Sequence, residues 1–192
     1  KALRNCDFDS VQGELMVLKE LALVYILWKK PANAEKTLKQ AIQLDPTNHE
    51  FKILMHKVLI QQKNREKENQ AILRFREIPI GTMTLEELIM ALGQAMQYGD
   101  FEIAIDFGRR ILQIDPKNID GLFIQRRHLS DRYNFHYSRM CSDARVSGDG
   151  WEVKKLSEEI KKLDDIVCSL KKSDVVARAR WTALYNQYPL PI

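Results

Sequence analysis

Glycine and proline are sparse in this chain of 192 residues, eight and six respectively, and that scarcity excludes two classes of protein. A β sandwich or barrel needs punctuating residues every few positions, and a disordered chain has a low hydrophobic content. Here 45% of residues are hydrophobic and 29% charged, enough apolar material for a sizeable core in one domain or one compact stack of repeats. Cysteine is scarce as well. Cys6, Cys141 and Cys168 are odd in number and far apart, with no CxxC pair or Cys/His cluster. They read as reduced thiols in a cytosolic setting, not as a disulfide framework or a zinc site. Long apolar runs are missing: the longest, Leu21 to Trp28, has eight residues, against the roughly 18 that a membrane span requires. The opening KALRNCDFD lacks a methionine and the order of a signal peptide, which fits a processed chain or a piece of a larger protein.

An excess of one charge is absent too. Thirty basic against 26 acidic residues give a formal charge of +4, which is an ordinary mixed surface. The motifs of catalysis are missing: there is no glycine-rich phosphate loop, no GxSxG elbow and no HExxH. His49 and His56 are seven apart on one helix, about 10 Å along its axis, too far to share one ion, and read as surface or core-edge histidines. His128 and His136 are eight apart. Asp164-Asp165 and Glu158-Glu159 are sequence neighbours, but adjacent helical positions point in different directions, so they read as solvated charges. No catalytic residue, metal ligand or cofactor is expected.

What the chain does have is helical periodicity. Leu18, Leu21, Ala22 and Tyr25 recur at steps of three and four, and after a short break Ala34, Leu38, Ala41 and Ile42 do the same. The small alanines at 22, 34 and 41 let two helix axes approach, while Leu21, Tyr25 and Leu38 are expected to fill the space between them. Asp45-Pro46 stops the second helix. The first helix, beginning near Val11 behind Asp9 or Ser10, is apolar on several faces, so it expects partners on more than one side. A further helix runs from about His49 to Gln62 with Phe51, Leu54, Met55, Val58 and Leu59 as its stripe. A turn at Lys63-Asn64 leads to Ala71, Ile72, Phe75 and Ile78.

Thr84 and Glu87 have capping-box spacing at the head of a helix carrying Leu88, Ala91, Leu92 and Ala95. Gly99-Asp100-Phe101 is a turn, followed by Ala104, Gly108, Ile111 and Pro116. The endings QLDPTN and QIDPKN place Pro46 and Pro116 70 residues apart, two periods of 35. Beyond Asn118 the pattern weakens; Ile119, Leu122 and Phe123 begin one helix, and residues 133 to 146 suggest a second, a fourth hairpin. Ser147-Gly148-Asp149-Gly150 reads as a linker. From Trp151 to Lys172, Val153, Leu156, Ile160, Leu163, Val167 and Leu170 alternate like heptad positions, fitting a long helix packed along the end of the stack. Ser173-Asp174 caps a last helix carrying Trp181, Leu184 and Tyr185.

The spacing of Leu18, Leu21, Ala22, Tyr25, Ala34, Leu38, Ala41 and Pro46 resembles that of the tetratricopeptide repeat, a 34-residue helix-turn-helix unit. The resemblance covers about residues 14 to 118. It departs from the family where Leu18 replaces a tryptophan, where Lys29-Lys30-Pro31 replaces a glycine turn, and in a degenerate middle repeat whose Glu66, Lys67 and Glu68 occupy a zone of small residues. It implies an all-α, right-handed superhelical stack of hairpins over residues 1–146, a linker at 147–150 and a helical extension over 151–192. It also implies a concave groove receiving a peptide or amphipathic helix of another protein. Carried over by position, the groove residues are Met16, Lys19, Leu23, Ile26 and Leu27 in the first repeat, Lys52, His56 and Leu59 in the second, and Glu86, Ile89, Met96 and Gln97 in the third.

That reading makes the chain a non-enzymatic scaffold or chaperone-like adaptor. A carboxylate clamp is not expected, since Leu23 stands where the clamp has an asparagine. Other readings accompany it. Arg126, Arg127, Arg132 and Arg139 interleave with Phe123, Tyr133, Phe135 and Tyr137, and a basic run spans residues 57 to 76, as in nucleic-acid binding. The chain also suits the helical regulatory portion of a larger enzyme. Finally, the helix from Trp151 fills the groove itself, or its stripe from Trp151 to Leu170 forms a homodimer contact.

Overall fold

The structure, a computed structural model, describes residues 10–142 and 149–190. Among the described residues there are nine α-helices and no strand: α1 (Val11–Leu27), α2 (Pro31–Leu44), α3 (His49–Gln61), α4 (Arg65–Arg76), α5 (Leu85–Gln97), α6 (Phe101–Ile114), α7 (Ile119–Ser142), α8 (Asp149–Ser173) and α9 (Val175–Gln187). The chain divides into two compact units, Lys1–Met83 and Thr84–Ile192. In the first, α1 pairs with α2 and α3 with α4, and α2 packs on α3. In the second, α5 pairs with α6, α6 packs on α7, and α8 lies along α7 with α9 against both.

The helix starts are written in short polar side chains. Ser10 Oγ accepts from Gly13 N–H at 3.0 Å, Asn48 Oδ1 from Phe51 N–H at 3.4 Å, and Asn64 Oδ1 from Glu66 and Lys67 N–H. Thr84 and Glu87 close a reciprocal capping box, and Asp174 caps α9. Each satisfies backbone donors that the first helical turn leaves unpaired. Pro31 opens α2, where its missing N–H costs nothing.

The turns share one device. Lys29, Lys63 and Gly99 have φ of 54°, 51° and 76°, and they stand 34 and 36 residues apart. A left-handed residue lets the next N–H reach back five residues: Lys30 donates to Tyr25 at 2.9 Å and Asp100 to Ala95 at 3.0 Å. The middle hairpin therefore keeps the period although its side chains stray from the repeat pattern.

Three expectations change. Residues 119 to 142 form one helix of 24 residues and not a hairpin, because no glycine or proline lies between Gly121 and Ser142 to break it and Arg127 pairs with Asp131 one turn on. Asp149 and Gly150, read as linker, open α8. Leu21, read as filling the space between α1 and α2, faces outward and is 38% exposed. Ser147, Gly148, Cys6 and Asp9 lie outside the described residues. Cys141 and Cys168 are free and exposed. No helix of the described residues is long and apolar enough to cross a membrane.

The stripe of α8 is covered within the chain. Leu156, Leu163 and Val167 are buried, with Val153, Ile160 and Leu170 half-buried, and the helix packs on α7 and α9. That packing occupies the face read as a dimer contact. Where α6 meets α7, a Cβ on Gly108 would stand 2.1 Å from Ile124 Cγ2, and one on Gly121 would stand 2.9 Å from Leu112 Cγ. The two glycines are what allow that approach.

Candidate functional site

Counting seven residues back and twelve forward from each left-handed turn residue picks out one buried pair per hairpin: Ala22 with Ala41, His56 with Phe75, and Leu92 with Ile111. In α1–α2 the pair is two methyl groups. In α3–α4 it is two rings, stacked with centroids 4.2 Å apart and planes at 22°. Rings at this position take more room than methyl groups.

Beside the rings a cavity of about 290 Å³ opens, lined by Ile42 of α2, by Lys52, Met55, His56 and Leu59 of α3, by Ala71 and Arg74 of α4, and by Glu77 and Ile78 just beyond it. Met55, His56, Leu59, Ala71 and Ile78 are buried and form its walls, whereas Arg74 and Glu77 are exposed and Lys52 half-exposed at its mouth. None of Lys52, Arg74 and Glu77 is held in an ion pair among the described residues. Other lysines of the unit are held: Lys39 and Lys67 each reach Glu35 at 2.7 Å, and Lys19 reaches Glu50 at 2.6 Å. The mouth therefore carries two available cations and one carboxylate above an apolar interior.

The expected groove residues of the first unit fall in different places. Lys52, His56 and Leu59 line the cavity. Met16 and Lys19 instead line a larger, more open depression of about 450 Å³ between α1 and the start of α3, beside Glu50 and Phe51. Ile26 belongs to the core with Leu23 packed against it, and Leu27 is 78% exposed. In the second unit Met96 is buried, Ile89 half-buried, and Glu86 and Gln97 exposed. Sequence reasoning missed Ile42, Arg74 and Ile78, which come from α2, α4 and the segment after it. The readable signal was Phe75, standing in the middle hairpin where the first has Ala41.

The arginines of α7 are engaged inside the second unit. Arg126 meets Asp164 at 2.9 Å, Arg127 meets Asp131 at 3.9 Å, Arg139 meets Asp149 at 3.5 Å, and Arg132 pairs with Glu152. Phe123 is buried edge-on against Trp181. The ion pairs take up arginine charge that nucleic-acid binding would use, whereas Phe135 and Tyr137 stay exposed. No three His, Cys, Asp or Glu residues come together in a metal-holding group among the described residues.

A crystal structure of a tetratricopeptide repeat protein from Parabacteroides merdae is similar to this chain with a TM-score of 0.44 and 16% identity, over 90% of this chain and 72% of that one. No family model matches the chain, and no curated protein matches it.

Proposed function

We propose that the protein is a non-enzymatic binding module, a scaffold or adaptor, that takes a segment of a partner protein on its first unit. The cavity between α3 and α4 carries this reading. At about 290 Å³ it lies at the small end of ligand pockets, which run from about 300 to 1,000 Å³, and so it suits one large apolar side chain better than a cofactor. Lys52 and Arg74 at its mouth favour an acidic group beside that side chain. The segment is then a helix or extended peptide anchored by one apolar residue with Asp or Glu next to it. On the first unit Met16 and Lys19 remain proposed contacts for flanking residues of the partner; on the second unit, taken by itself, Glu86, Ile89 and Gln97 remain proposed contacts for a protein partner. The setting proposed is the cytoplasm, where scattered thiols stay reduced.

The test is selection of peptides on the protein from a random library, followed by fluorescence anisotropy on the winners. The selected peptides are expected to share an apolar anchor beside an acid, and Lys52→Glu together with Arg74→Glu should weaken them at least tenfold at an unchanged melting temperature. Winners without such an anchor, or full binding by the double variant, would remove the assignment.

A further inference from the structure

The first helix presents Val17, Leu21, Val24 and Trp28 at steps of four, three and four, a single apolar line along α1 and its C-cap. Leu21 is 38% and Trp28 64% exposed, and the two valines are half-exposed. On α3, 34 residues on, the first three positions are Phe51, Met55 and Val58. All three are buried, since α3 packs on both α2 and α4. The line on α1 thus has the chemistry of a helix-packing face.

We propose that this face pairs antiparallel with α1 of a second copy of the chain. The line is nearly symmetric about Leu21: Val17 stands four residues before it and Val24 three after, with Glu14 seven before and Trp28 seven after. A two-fold contact requires such self-complementarity. With Leu21 on Leu21, each Val17 meets the other copy's Val24. Charge sets the direction. Glu14 is exposed in the first turn, while Lys29 and Lys30 follow Trp28 at the other end, Lys30 Nζ lying 5.4 Å from the Trp28 ring centroid. Antiparallel pairing brings each acidic end to a basic end and opposes the helix dipoles favourably; parallel pairing would set Glu14 on Glu14 and lysines on lysines. Glu14 and Lys29 are in no ion pair among the described residues. The line is roughly 17 Å long at 1.5 Å per residue. One such helix pair covers less than the roughly 1,200 Å² of a stable interface, so the dimer is weak and concentration-dependent.

Sedimentation of the whole chain from micromolar to millimolar concentration tests this. The mass should rise from one chain toward two, and Leu21→Glu should hold it at one throughout with helical circular dichroism intact. Glu14→Lys, at an exposed position that leaves the core untouched, should raise the dissociation constant about threefold to tenfold by breaking two exposed charge contacts at once. Adding Lys29→Glu and Lys30→Glu to it should restore the dimer. A monomer at every concentration, a dimer indifferent to Leu21→Glu, or a charge-swapped variant no better than Glu14→Lys alone would each overturn the proposal. A line shielded by another segment of a longer chain would give the first of these results.

Discussion

In the hairpin α1–α2 the pair flanking the crossing is Ala22 and Ala41, both fully buried, and in α3–α4 it is His56 and Phe75, also buried but stacked ring on ring. The two hairpins otherwise share their turn, with Lys29 and Lys63 both left-handed. The cavity lies beside the second pair. The turn keeps the period in both hairpins, while the pair at the crossing differs in size. In this hairpin the cavity involves no insertion or loop: it lies beside two stacked rings where the neighbouring hairpin has two methyl groups. The second unit adds a third solution, since Gly108 and Gly121 remove the side chains altogether where α6 meets α7.

The sharpest way to break the contrast is Phe75→Ala. Removing a buried ring costs about 3–5 kcal/mol, less if the site collapses. Urea denaturation should show a loss in that range, and any peptide bound in the cavity should be lost with it. Adding His56→Ala copies the alanine pair of the first hairpin, so the helices can close and part of the stability should return. Were the double variant to keep the cavity and its ligand, the rings would not be what separates α3 from α4.

Next in size is Gly108→Ala. Ile124 Cγ2 stands in the way of the added methyl and Ile124 is itself buried, so overpacking should cost about 1–3 kcal/mol. Gly93, exposed on α5, has nothing within 4 Å of its would-be Cβ. There the same change should stabilise by about 0.5–1 kcal/mol through helix propensity alone. Opposite signs in thermal melts distinguish a glycine kept for close packing from one that is not.

The turns give a smaller, two-sided effect. Gly99→Ala forces a side chain into a left-handed conformation and should cost about 1 kcal/mol, whereas Lys63→Gly relieves the same strain and should gain up to about 1 kcal/mol. Equal and opposite shifts would show that the middle hairpin's turn is the same device as the third.

These cases also separate what was legible in the sequence from what was not. Helix starts at Ser10, Thr84 and Asp174 were readable because a cap is a local bond between near neighbours. Turn positions were readable for the same reason, even at Lys63, where no glycine marks the bend. The single helix α7 was misread as a hairpin because a repeat pattern was extended past the point where any breaker supports it. Leu21 was misread differently: periodicity says which residues share a face, but not whether anything covers it. The cavity was out of reach, since its walls combine α2, α3 and α4 and it lies beside a ring pair drawn from two helices.

The smallest effect concerns the joint between the two compared hairpins. Glu35 of α2 accepts from Gln62 Nε2 at the end of α3 and from Lys67 Nζ of α4, both at 2.7 Å, as well as from Lys39. Burial pushes its carboxyl upward, but the hydrogen bonds from Gln62, Lys39 and Lys67 outweigh it and hold the carboxyl down at about 2, from an ordinary 4.5. A carboxyl depressed by folding adds stability that is fully present above its unfolded value and is lost as pH falls toward its folded one. Glu35→Gln should therefore lower the melting temperature at neutral pH by the equivalent of about 1 kcal/mol, the scale of partly exposed ion pairs. The gap between variant and wild type should close as the pH is taken from 4.5 toward 2. A gap that persists at the acid end would mean that Glu35 joins the hairpins by packing and not by charge.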